Sequence, residues 1–183
     1  MNILIMILLS IAGLIVLLLV IALFMKKEHY VNREIIISAP VNKVFGYLRL
    51  LSNQEKFNKW AKTDPDRKVE TKGTDGTVGY VYTWSGNKDA GKGQKEILNI
   101  VDDKSIETEI RFEKPMKVSA RVIMETTALA DGQTRVNLIN TGKLPYPINL
   151  MIPIAEKNFS KDLDTSLSTL KSILENDNSI QNN

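Results

Sequence analysis

Residues 105–142 read SIETEIRFEKPMKVSARVIMETTALADGQTRVNLINTG. Ile106, Thr108, Ile110 and Phe112 fall on one side of an extended chain, and Glu107, Glu109 and Arg111 on the other. Lys114-Pro115 interrupts the run. Val118, Ala120, Val122 and Met124 then alternate with Ser119, Arg121, Ile123 and Glu125. Asp131-Gly132 is a hairpin signal before a last strand over 134–142. A period of two with charge on one side predicts antiparallel strands with one buried and one wet face. Glu107, Glu109, Arg111, Arg121 and Glu125 then pair across strands on the wet face.

The same pattern extends upstream. Strands are predicted over 67–72, 77–85 and 91–101, with Gly- and Asp-rich turns between them. In the second of these, Val78, Tyr80, Tyr82 and Trp84 share a face. The loop carboxylates Asp64, Asp66 and Asp75 suit turn chemistry. Residues 30–38 form an earlier strand that stops at Ala39-Pro40. A helix follows over 41–50, carrying Val41, Val44, Phe45 and Leu48 at helical spacing, then a shorter one over 53–61 with Phe57 and Trp60 on one face.

From Pro147 the period changes. Met151, Ala155, Phe159, Leu163, Leu167, Leu170 and Leu174 recur at four and three residues, which predicts one long amphipathic helix bent or restarted near Pro153. The order is therefore strand, two short helices, six strands, long helix. An antiparallel sheet must cover its apolar face, and the last helix is the one element long enough to do it. The expected class is α+β, a curved sheet gripping a C-terminal helix with a cavity left between them.

Ahead of this domain, residues 3–25 read ILIMILLSIAGLIVLLLVIALFM, without a charge. Such a run meets the roughly 20 residues that a bilayer core requires. A cleaved signal peptide needs a basic start, a shorter apolar core and a small-residue cleavage site. This run offers none of the three. The expected organisation is a membrane anchor over 1–27, a domain over 28–176 and a polar tail over 177–183. Lys26 and Lys27 follow the run directly, and basic flanks stay cytoplasmic. His29 and Tyr30 come next, where headgroup level is expected.

Composition narrows the chemistry. Lys and Arg number 24 against 21 Asp and Glu. A net charge of +3 without a basic cluster is no nucleic-acid footprint. The chain has no cysteine and one histidine. Disulfides, thiol catalysis, lipidation at cysteine, a Ser-His-Asp relay and a multi-histidine metal site therefore find little support in one chain. No cofactor, metal site or catalytic residue is expected. Oligomeric state is not legible.

Several motifs resemble the START-related helix-grip superfamily (SRPBCC), which includes the polyketide cyclase/dehydrase and lipid transport group. They are Ile35-Ile36-Ile37-Ser38-Ala39-Pro40 with Val44-Phe45, then Phe57-Asn58-Lys59-Trp60, then Gly79 to Gly93 with Tyr82 and Trp84, and the closing Leu-x-x-Leu helix. The resemblance covers roughly residues 30–175. It implies a hydrophobic cavity for a lipid-like small molecule. It equally allows a cyclase or dehydratase acting on a polyketide-like substrate, or an interaction module such as a chaperone partner.

On either footing, the expected ligand-binding residues are Tyr80, Tyr82 and Trp84 as an aromatic wall, with Phe112, Met124, Met151 and Phe159 lining the same space. Asn140 is an inward polar contact, and Phe57 and Trp60 stand at the opening. If Lys26 and Lys27 set the topology, protease added to the cytoplasmic face of membrane vesicles digests the domain, and protease outside intact spheroplasts leaves it whole. Digestion from outside would refute the orientation.

Overall fold

The computed structural model describes residues 2–181, with side chains as far as 176. An apolar helix, α1 (Ile3–Phe24), precedes the domain. Then come β1 (Glu28–Ile37), α2 (Val41–Arg49), α3 (Leu51–Phe57) and a 3-10 turn, Trp60–Thr63. Six strands follow: β2 (Lys68–Lys72), β3 (Val81–Ser85), β4 (Lys92–Val101), β5 (Ser105–Lys114), β6 (Val118–Ala128) and β7 (Thr134–Lys143). A 3-10 turn, Ile148–Met151, leads into α4 (Ile152–Gln181). Residues 177–181, expected as part of a tail, thus continue α4.

The strands form one antiparallel sheet in the order β1-β7-β6-β5-β4-β3-β2. This is the α+β helix-grip fold that the order of elements predicts. Its inner face meets α4 through Leu163, Leu167, Leu170 and Leu174 and meets α2 through Val44, Phe45 and Leu48. Ile106, Met124, Val136 and Leu138 answer from the sheet, all at most 5% exposed. On the outer face, Arg121 pairs with Glu107 at 2.9 Å, and Arg111 bridges Glu96 and Glu109.

The predicted turn carboxylates have structural work. Asp75 accepts hydrogen bonds from the Leu51 and Ser52 backbone N–H groups at 2.8 and 3.0 Å, filling donors that the first turn of α3 leaves open. Asp64 accepts from Asn87 N at 2.7 Å and so ties the β3–β4 turn to the loop after the 3-10 turn.

Three local expectations need correction. β3 begins at Val81, not at residue 77, because Gly79 adopts φ +85° and takes the chain out of an extended path. Val78 is consequently 59% exposed. The second short helix ends at Phe57, and Trp60 belongs to the separate 3-10 turn. Met151 does not face the sheet. It closes the 3-10 turn ahead of α4 and is 49% exposed, while its neighbour Ile152 is fully buried. The change from 3-10 to α geometry shifts the phase by which the helical spacing was read. Pro153 falls in the first turn of α4, where its missing N–H costs nothing, so no bend is needed.

Leu170→Ala should lower the unfolding free energy by about 2–5 kcal/mol, and Arg121→Ala by less than about 1 kcal/mol. Urea denaturation of the full chain in detergent, followed by circular dichroism, checks the contrast.

Candidate functional site

The packing changes along the sheet. Away from α1, the inner face is buried under the leucines of α4. Toward α1 it is not. β1 starts at Glu28, just after α1 ends at Phe24, so the start of β1 marks the end of the domain nearest α1. Pairing places His29, Gly142, Ala120, Ile110, Lys95 and Tyr82 in one row across the inner face near that end. Val118, Phe112, Gly93 and Trp84 form the next row, nearer still. Ala120, Ile110, Lys95, Val118, Phe112 and Trp84 are half-buried, as are Ala155 and Phe159 of α4. The inner face is thus filled under the leucine ridge and only half-covered toward α1, and this half-covered stretch is the cleft, standing where a cavity was expected.

Aromatic rings border this cleft on both sides. Trp84 meets Phe112 edge-on at 5.6 Å, and Tyr82 lies 6.5 Å from Trp84. Opposite, Phe159 lies 5.5 Å from His29 and 5.9 Å from Trp60, edge-on to the latter. Two glycines let rings lie against the sheet. A Cβ on Gly93 would come within 2.7 Å of the Trp84 ring, and one on Gly142 within 2.5 Å of His29 Cε1.

Most polar groups here are paired with one another, the exception being His29 Nδ1, which is buried without a partner among the described residues. Asn140 Oδ1 lies 2.8 Å from His29 Nε2. The amide oxygen can only accept, so the imidazole donates from Nε2. His29 is 6% exposed, so it belongs to the interior and not to the headgroup level expected for it. The Tyr82 hydroxyl donates to Glu55 at 2.7 Å and accepts from Arg67 at 3.2 Å, and Arg67 also pairs with Glu55. Trp84 Nε1 donates to Ala90 O at 3.0 Å.

Lys95 is the unusual member. Its ammonium donates to the neutral amide of Gln54, whose own N–H donates to Leu48 O at 2.8 Å. Burial disfavours the charged form and pushes the Lys95 ammonium down to about 8. At the cleft's other side, Lys26 and the Tyr30 backbone N–H donate to Glu156 at 2.8 and 3.0 Å and hold its carboxyl below the usual range. This contact fastens the start of α4 to the end of α1.

Of the expected ligand-binding residues, Trp84, Phe112, Phe159 and Trp60 keep part of their surface exposed at the half-covered end, whereas Tyr82 and Asn140 lie beside them, buried at 7% and 9% exposure. Tyr80, Met124 and Phe57 are packed into solid core at 5%, 5% and 2% exposure. Met151 lies outside altogether. Lys95 escaped notice although it sits two residues from both Gly93 and Ile97. An irregularity between Ile97 and Asn99 puts Ile97 and Ile100 on the same face, which blurs the alternation of β4. Glu55 and Arg67 carry no spacing that foretells their pairing.

No family model and no curated protein matches the chain. Solved structures do. Protein MLL2253 from Mesorhizobium loti superposes with TM-score 0.62 at 16% identity, covering 81% of this chain and 98% of its own. Ara h 8.0201 gives 0.53 at 15% identity, covering 80% and 97%. The Aha1 dimer from Colwellia psychrerythraea gives 0.55 at 17%, covering 80% and 96%. At such identities the likeness is one of fold, and that fold is the helix grip.

Lys95 supplies a pH signature. Its folded value lies below its unfolded one, so the unfolded chain binds the extra proton between about pH 8 and 10.5. Stability from this residue therefore rises with pH across that window. Lys95→Met should be more stable than wild type by about 1–3 kcal/mol below pH 8, with the gap shrinking toward pH 10.5. Urea melts of both chains across that range measure the difference.

Proposed function

We propose that this chain binds a hydrophobic small molecule in the cleft at the open end of its grip, while α1 holds the domain on a membrane. The observation that carries this reading is directional. The cleft opens at the end of the sheet where α1 leaves the domain. An apolar ligand partitioned into the bilayer would meet the mouth without crossing water, and tethering raises its effective concentration there.

α1 supports the anchoring half. Its 22 residues span about 33 Å at roughly 1.5 Å each. It carries no charge, and all but Ala22 and Leu19 among its described side chains are exposed. Ser10, its one hydroxyl, donates back to Met6 O at 2.9 Å and so brings no unpaired polar hydrogen into lipid. Lys26 and Lys27 favour the cytoplasmic side for the domain.

The cleft supports the binding half. Half-buried Trp84, Phe112, Ile110, Val118, Ala120 and Phe159 offer apolar area, worth about 25 cal/mol per Å² when covered. A cyclisation or dehydration there would call on an uncommitted acid or base. Tyr82 is held by Glu55 and Arg67, and Asn140 by His29. His29 Nδ1 is buried without a partner among the described residues and Lys95 is held by a neutral amide alone, so acid–base chemistry in the cleft stands as the second reading beside binding.

Ala120→Trp would fill the cleft floor, whereas Ser119→Trp projects from the outer face of the same strand. Full-length chain extracted in mild detergent should release an apolar molecule on solvent extraction and mass spectrometry. The amount should fall sharply in Ala120→Trp and stay level in Ser119→Trp. Equal yields from both variants, or repeated recovery of empty protein, would contradict the reading.

A further inference from the structure

Residues 144–155 read LPYPINLMIPIA, twelve positions without a charge between β7 and the body of α4. We infer that this segment is a second membrane-inserted element, its exposed apolar side chains immersed in the hydrocarbon of the bilayer beside α1. The inference rests on α1 being a membrane anchor, as proposed above.

Four observations support it. First, the segment packs on α1 well below its end. Ile15, Leu18 and Leu19 of α1 border one apolar groove with Pro147, Ile148, Leu150 and Met151. Ile15 lies nine residues before Phe24, about 14 Å along the helix. Residues beside that stretch share its depth.

Second, the segment is bonded in place. Asn149, fully buried, donates through Nδ2 to Ala22 O at 2.7 Å and to Met25 O at 3.3 Å. These are carbonyls at the C-terminal end of α1, where helical partners run out. Leu144 N donates to Lys27 O at 2.9 Å and continues the β1–β7 pairing toward α1.

Third, its outward side chains are the wrong kind for water. Tyr146, Met151 and Ile154 are 42%, 49% and 55% exposed. Met151 borders the groove on Ile15, Leu18 and Leu19 of α1, so the apolar surface of the segment joins that of α1, and so large a shared apolar surface calls for an apolar partner.

Fourth, much of its backbone polarity is satisfied within the segment. Pro145, Pro147 and Pro153 bring no N–H group. Asn149 N bonds Pro145 O at 3.1 Å, and Leu150 N bonds Pro147 O at 3.2 Å. Charge resumes at Lys143 on one side and at Glu156 and Lys157 on the other. Lys143 pairs with Glu28, and Glu156 with Lys26, so both limits lie level with the end of α1. The whole segment therefore falls on the membrane side of one charged layer. Two membrane contacts, in place of one, fix the tilt of the domain and keep the mouth of the cleft against the bilayer.

The natural chain has no cysteine, so single nitroxide labels are unambiguous. Met151→Cys, Ile154→Cys, Leu14→Cys in α1 and Thr127→Cys on exposed β6 are each labelled in the full chain. The proteins are placed in vesicles of phosphatidylcholine and phosphatidylglycerol, and collisions with oxygen and with an aqueous nickel chelate are measured by spin-label saturation. The labels at 151 and 154 should lose nickel collisions and gain oxygen collisions as the Leu14 label does, while the Thr127 label stays aqueous. Aqueous behaviour at 151 and 154 with Leu14 in hydrocarbon would overturn this inference and leave the anchor standing. Aqueous behaviour at Leu14 as well would overturn both.

Discussion

One helix has to cover an inner sheet face that is longer than its apolar ridge. Leu163, Leu167, Leu170 and Leu174 of α4 interlock with Ile106, Met124, Val136 and Leu138, and α2 completes that seal with Val44, Phe45 and Leu48. Toward its start, α4 presents Ala155 and Phe159 instead of the close run of leucines, and the rows through Ala120 and Phe112 stay half-covered. The cleft is the part of the sheet that the leucine ridge does not reach.

That arrangement places the cleft close to α1. β1 leaves α1 within a few residues, and the half-covered rows lie toward that end of the sheet. Lys26–Glu156, Asn149 on the Ala22 and Met25 carbonyls, and Leu144 on Lys27 hold that juxtaposition from three sides. The interior is also less greasy than an apolar cavity would be. Lys95 on Gln54, Tyr82 between Glu55 and Arg67, and His29 on Asn140 place a polar set at the edges of an aromatic floor. A guest with an apolar body and a polar end fits such a lining better than a plain hydrocarbon.

Much of the fold was legible because alternation and helical spacing are local signals. The paired faces of β5 and β6 read off directly from Ile106 to Phe112 and from Val118 to Met124. The leucine ridge of α4 did so as well, and Asn140 was found by its register with Val136 and Leu138. What escaped depended on events that shift phase or join distant residues. Gly79 delays the start of β3 to Val81, the 3-10 turn carries Met151 outward, and the irregularity after Ile97 conceals Lys95. His29 looked like a boundary residue by its place in the chain, yet strand pairing with Gly142 carries it inside. The Glu55–Arg67 pair arises from folding a loop against β3, which no spacing announces.

The central claim is that lipid-derived molecules reach the floor of the cleft. The chain has two tryptophans, so Trp60→Phe leaves Trp84 as a single emitter beside Phe112. Its fluorescence should be quenched by brominated lipids in vesicles and little affected by aqueous iodide. Strong quenching by iodide with none by brominated lipid would show a wet, unoccupied cleft turned away from the membrane, and would contradict the account.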